Sequence, residues 1–159
     1  MKSDTNLGER LASIVSLDDL KNFVRGCLKS VAEEKNPVAG YMLAEAIASF
    51  KPTVSGAVFE ASGVIPDPDF YRGWAFHRFM ELAEKQQGDA ARWIAHYYLV
   101  GACPVEKSDS EYRKWLKLAA EYGDRLSAAD LADAKHDQKK CSKQITSGRR
   151  SIRRPPRGQ

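Results

Sequence analysis

The feature that most constrains the fold of this chain is a short phrase that occurs twice, 35 residues apart. Gly88-Asp89 and Gly123-Asp124 each follow a stretch rich in Ala and Glu and precede a stretch rich in Ala. Repetition at a fixed spacing in this range is typical of arrays of helical hairpins. We therefore expect an all-α fold of about six or seven helices, built as a short α-solenoid of antiparallel hairpins. Such arrays usually present a surface to a partner.

The composition is that of one soluble domain. The chain has 159 residues, of which 43% are apolar and 29% charged. No apolar run approaches the roughly 20 residues that span a membrane, and the N-terminus lacks the apolar core of a signal peptide. Three widely spaced cysteines do not form a disulfide framework. We expect a cytoplasmic protein without a membrane partner.

The net charge of +4 is unevenly distributed along the chain. Residues 1–134 carry 16 Lys/Arg and 20 Asp/Glu, a net charge of −4. Residues 135–159 carry nine Lys/Arg and one acid, a net charge of +8. This composition predicts an acidic helical body, 1–134, followed by a disordered basic tail, 135–159.

Capping signals and helical spacing of apolar residues mark the helices. Ser16, with Asp19 three residues on, begins a helix that ends at Asn36-Pro37. Residues 53–66 are rich in breakers and allow at most a short helix. Gly88 is expected to end the helix before it, and Asp89 to cap the next. The other expected helices cover 38–50, 67–87, 90–100, 108–122 and 126–134.

Residues 90–124 resemble the Sel-one-like repeat, a tetratricopeptide-like helical hairpin. The residues that carry the resemblance are Ala91, Ala95, Tyr98, Gly101, Val105, Asp109, Trp115, Ala119-Ala120-Glu121 and Gly123. Within this pattern Cys103-Pro104 departs from the family, which usually has Gly before Val. The resemblance implies a degenerate repeat at 38–89 and the best repeat at 90–124. We expect an N-terminal capping region at 1–36, which a short array requires, and a terminal helix at 125–134. The resemblance also implies an adaptor or scaffold role in protein–protein interaction, without catalysis.

No motif in the sequence indicates an active site or a cofactor. His77, His96 and His136 do not combine with Cys27, Cys103 or Cys141 at metal-ligand spacing. Phosphate loops and nucleophile motifs are missing. We expect a non-enzyme that has no cofactor and no metal; a small enzyme or inhibitor without a recognisable motif is the remote alternative.

Two sets of residues are candidates for binding. Most aromatic side chains should be core, because solenoid hairpins bury them against their neighbours. Polar-tipped residues of the inner helices are better candidates for exposure, and we expect them to contact a protein partner. They are Tyr41, Glu45, Arg92, His96 and Tyr97. Homodimerisation through a terminal hairpin is a further expectation.

The second set is the basic tail, which could bind phosphates of DNA, RNA or anionic lipid with little sequence specificity. The candidate phosphate-binding cations, eight of its nine, are Lys139, Lys140, Lys143, Arg149, Arg150, Arg153, Arg154 and Arg157. No aromatic residue interleaves them, so stacking on single-stranded bases is not predicted. Docking on an acidic protein surface, including the chain's own body, and a plain solvated end are the alternatives.

Overall fold

The structure, a computed structural model, describes residues 7–132, except the side chains at positions 7, 8 and 10. Every element within this range is a helix, so the expected all-α fold is confirmed. Residues 125–132 are also helical and are called the terminal segment below. The expectations for 133–134 and for the tail 135–159 lie outside the described residues. The helices are α1 Leu7–Ala12, α2 Leu17–Glu34, α3 Pro37–Phe50, α4 Gly56–Ala61, α5 Pro68–Glu84, α6 Gly88–Val100 and α7 Asp109–Glu121.

Side chains cap the first turns of α2, α3 and α5; the sequence predicts the caps of α2 and α5, whereas Asn36 was expected only as part of a helix end. The Ser16 hydroxyl accepts a hydrogen bond from the Asp19 amide at 3.1 Å, and the Asp19 carboxylate accepts one from the Ser16 amide at 3.1 Å. Asn36 and Asp67 cap α3 and α5, each followed by proline at the first helical position. Proline costs nothing there because its missing N–H would have no partner within the helix.

The expected boundary at Gly88 is wrong. Helix α5 already ends at Glu84, and Gly88 is the first residue of α6 rather than a stop. Gln86 takes the left-handed conformation (φ 60°) that ends α5. The amides of Gln86 and Gln87 donate to the carbonyls of Ala83 and Leu82, which satisfies the last turn of the helix. Gln87, not Asp89, is therefore the N-cap of α6.

The same corner joins helices at three places in the chain. A left-handed residue stands directly before the next N-cap in Lys35-Asn36, Gln86-Gln87 and Gly123-Asp124. The N-caps at 36, 87 and 124 are separated by 51 and 37 residues. The two Gly-Asp pairs are therefore not structurally equivalent, because Gly123 corresponds to Gln86 and not to Gly88.

The helices α6 and α7 pack antiparallel. Gly88, at the start of α6, lies against the carbonyl of Ala119 near the end of α7, while Tyr98 near the end of α6 accepts from the Ser108 amide at the start of α7. Helices α3 and α5 are also antiparallel, since Lys51 donates to the carbonyl of Pro66 at 2.9 Å. Helix α2 packs on α3, and α5 packs on α6. One apolar core runs through these contacts.

The segment 53–66 contains α4, in agreement with the expected short helix. Phe59 anchors it, with only 1% of its surface exposed. The left-handed Gly63 follows, and buried Val64 donates its amide to the Phe59 carbonyl. In the range 7–132, none of the helices combines the length and the apolar character that a membrane span needs.

Candidate functional site

A groove of about 320 Å³ opens where α3, α6, α7 and the terminal segment meet. We call it the α6 groove, because α6 contributes half of its lining. The lining residues are Tyr41, Arg92, Trp93, His96, Leu99, Tyr112, Leu116 and Asp130. A larger concavity of about 460 Å³ lies beside the starts of α3 and α6, but the α6 groove is the one that gathers three aromatic residues and an imidazole.

The aromatic side of the groove is held rigidly by ring contacts. Trp93 stacks on Phe79 with ring centroids 5.3 Å apart and planes at 10°. Tyr41 contacts Trp93 at 5.2 Å, and His96 contacts both rings at 5.8 Å. The Tyr41 hydroxyl lies 3.2 Å from His96 Nε2, within hydrogen-bond distance. Burial and the nearby Glu45 charge raise the pKa of Tyr41 to about 12, so it remains a neutral hydroxyl at physiological pH.

A charged network behind the groove connects α3, α5 and α6. Arg72 donates two hydrogen bonds to Glu45 Oε1, at 2.9 and 3.1 Å, and pairs with Asp69 at 3.1 Å. The Tyr97 hydroxyl donates to the Arg72 backbone carbonyl at 2.9 Å. This network fixes the helices that position the groove.

One edge of the groove is built by α6 and the terminal segment. Arg92 Nε lies 3.2 Å from Asp124 Oδ2, an ion pair whose angles do not form a hydrogen bond. The same carboxylate accepts from the Ser127 amide at 2.8 Å and so caps the terminal segment. Asp130, about one helical turn beyond Ser127, is exposed and forms no ion pair with any residue of the described range.

The structure brings together three of the five residues that the sequence indicated on the helical surface. Tyr41, Arg92 and His96 line the groove, whereas Glu45 lies behind it in the Arg72 pair. The expected exposure of Tyr97 and Tyr41 is wrong, since none of the Tyr97 surface is accessible and Tyr41 is only 5% exposed. A buried tyrosine needs a hydrogen-bond partner for its hydroxyl, and both have one in a neighbouring helix. The eight candidate cations of the tail lie outside the described residues.

Sequence reasoning missed the other residues of the groove. Trp93 and Tyr112 belong to an aromatic set that was expected to be mostly core, with two or three unspecified members as candidates for a partner groove. Leu99, Leu116 and Asp130 were not expected at a site. Residues 92, 96 and 99 follow the spacing of a single helix face, which was the available signal. The contributions of α7 and the terminal segment depend on tertiary packing and leave no such pattern.

Acidification should destabilise the fold through His96. Burial lowers the pKa of His96, the nearby Arg92 lowers it further, and Glu45 opposes both. Below about pH 6.5 an unfolded chain takes up a proton at this position that the folded chain binds less readily, so stability falls as the pH falls through that range. We expect the free energy of unfolding, measured in urea, to drop more between pH 7.5 and 5.5 in the wild type than in His96→Gln. Equal drops in the two proteins would contradict the assignment.

The groove offers aromatic faces, an imidazole and one carboxylate without an ion pair, groups suited to holding side chains of a polypeptide. Within residues 7–132, no group of three His, Cys, Asp or Glu side chains is placed to hold a metal ion. No protein-family model matches this chain, and neither a curated protein nor a solved structure matches it significantly.

Proposed function

We propose that this protein is a non-enzymatic adaptor for protein–protein interaction, built as a short α-solenoid of the Sel-one-like, tetratricopeptide-like type. Three helix corners of the same construction and two antiparallel hairpins, α3/α5 and α6/α7, support this architecture. In such arrays each unit packs only on its neighbours, and the stack leaves an extended surface for a partner. A cytoplasmic location is part of the proposal.

The α6 groove is the observation that carries this function. Some of its apolar and aromatic side chains remain accessible to a partner: Leu99 is 39% exposed, and Trp93 and Tyr112 are half-buried. Tryptophan, tyrosine and arginine are enriched among residues that dominate binding energy at interfaces. Because ring contacts hold Trp93 in place, little side-chain entropy is lost when a partner packs on it.

The test places a photo-crosslinking amino acid in the groove at Tyr112 and, in a matched control, at its exposed neighbour Arg113, which does not line the groove. In extract of the producing cells, we expect a discrete protein adduct from position 112 and little from 113. Adding Leu99→Glu should lower the adduct about tenfold, because a charge would enter an apolar contact. Equal labelling from 112 and 113, or no effect of Leu99→Glu, would contradict the function.

The charge of residues 135–159, nine cations against one acid, favours a second candidate function. The protein would then associate with nucleic acid through phosphate contacts of the tail, independent of base sequence. Affinity for duplex DNA or RNA that falls log-linearly with salt is the expected signature. The aromatic groove has no role in that function, which is why the adaptor is the first candidate.

A further inference from the structure

The described part of the chain ends close to the edge of the α6 groove. Asp130 lines the groove, and the described part of the chain ends two residues later, at Ala132. The sequence continues for 27 residues, to Gln159. Because Arg149 is 17 residues beyond Ala132, the intervening chain can span up to about 55 Å. Every arginine of the tail can therefore reach the groove of its own molecule.

The charges of the groove suit a cationic occupant. Arg92 is compensated by Asp124, and Arg72 by Glu45 and Asp69. The carboxylate of Asp130 is left without a counterion among the described residues, and residues 1–134 carry an excess of four acids. A tail with a net charge of +8 supplies the opposite charge. The tail and the groove are thus complementary in charge.

The chemistry of the groove favours arginine over lysine. Trp93 and Tyr112, both half-buried, present parts of their aromatic rings in the groove, and a planar guanidinium stacks on such faces while it pairs with a carboxylate. An ammonium group is more strongly hydrated and makes only the charge contact. In the sequence Arg149-Arg150-Ser-Ile152-Arg153-Arg154, two arginine pairs flank an isoleucine that can pack on Leu99. The lysines at 139, 140 and 143 do not flank an isoleucine on both sides, since Ile145 follows all three of them.

We propose that residues 149–154 dock in the α6 groove of the same chain, with arginine stacked on the aromatic rings and paired with Asp130. The proposal rests on the adaptor function, because it takes the groove to be a peptide-binding surface. A tethered segment has an effective concentration of the order of millimolar, so even weak contacts keep it bound. A protein partner must then displace the tail, and the tail sets a threshold for partner affinity.

The test uses the full-length chain with Ile152→p-benzoyl-phenylalanine, irradiated at low concentration, and maps the adducts by mass spectrometry. We expect adducts with residues 92–99 and 112–116 of the same molecule. The variant R149K/R150K/R153K/R154K, which keeps every charge, should reduce the groove adduct about threefold or more. Asp130→Asn should also reduce it. The matched control K139Q/K140Q/K143Q removes three charges and should reduce it less than the arginine variant.

Three results would overturn the proposal. The first is adducts spread over other surfaces; the second is a groove adduct that the arginine-to-lysine variant leaves unchanged. The third is an adduct that forms only between copies, recognised by mixing ¹⁵N-labelled and unlabelled chains. Failure here is distinct from failure of the adaptor function. If a protein partner still crosslinks at position 112 while residue 152 does not reach the groove, the adaptor stands and the docking of the tail is wrong.

Discussion

Replacing Tyr97 by alanine is expected to lower the free energy of unfolding by about 3–5 kcal/mol, as for other large aromatic side chains removed from a core. Tyr97 is completely buried and contacts the rings of Phe76 and Tyr41 at 5.2 and 5.4 Å. Its removal leaves a cavity where α3, α5 and α6 meet, and the Arg72 carbonyl loses the hydrogen bond that the Tyr97 hydroxyl donates. Urea unfolding followed by circular dichroism measures the change.

The conservative variant Tyr97→Phe separates the two contributions. It keeps the ring contacts and removes only the hydrogen bond to the Arg72 carbonyl, so we expect a loss of about 1–2 kcal/mol. A loss below about 1 kcal/mol for Tyr97→Ala would show that the three helices do not meet on this side chain as described.

Replacing Gly88 by alanine is expected to destabilise the fold by about 1–3 kcal/mol through overpacking. A Cβ atom at this position would lie 2.9 Å from the Ala119 carbonyl oxygen and 2.9 Å from the Asp124 amide nitrogen. Both atoms are backbone at the corner between α7 and the terminal segment, so they cannot move aside as a flexible side chain would. Thermal unfolding followed by circular dichroism measures the loss.

Gly26→Ala is the matched control for this substitution. Gly26 also lies in a helix, α2, but nothing comes within 4 Å of the position that its Cβ would occupy. The same change should therefore stabilise the protein by about 0.5–1 kcal/mol, because alanine restricts the unfolded chain and favours the helix. If both variants shifted stability in the same direction, close packing at Gly88 would not be the cause.

Helix starts could be predicted from the sequence because their signals are local. Ser16 and Asp67 carry side-chain oxygens that satisfy amides two or three residues away, so the neighbouring residues are sufficient for the prediction. Asn36, expected only as part of a helix end, caps α3 in the same way. Gly101 was expected to end α6 for the same kind of reason, and it does so with a φ of 72°. Such positions do not depend on tertiary structure.

The end of α5 could not be predicted in this way. Gln86 adopts a left-handed conformation, which costs energy in any residue that has a Cβ atom. The sequence therefore favoured Gly88, two residues later, as the end of the helix. Tertiary packing instead explains the glycine at position 88, because α6 approaches the backbone of α7 there and leaves no room for a Cβ atom. Tyr97 was misplaced for a related reason: its hydrogen-bond partner, the Arg72 carbonyl, is 25 residues away in the chain.

The candidate site was only partly visible in the sequence. His96 and Arg92 share a face of α6, and helical spacing was enough to group them. Tyr112 and Asp130 come from other helices, and only the packing of α6 on α7 and the capping of the terminal segment by Asp124 bring them to the same groove. A groove between helices is a property of the assembly, and single-helix periodicity does not encode it.

The three similar corners separate what is constant in this architecture from what can vary. Corner spacing is 51 residues across the first hairpin and 37 across the second, and the first accommodates α4 in its connection. Length can therefore be added between the two helices of a hairpin while the joint to the next hairpin is unchanged. The α3–α5 connection is thus a natural insertion point, where a recognition loop or a small domain could be grafted in protein engineering.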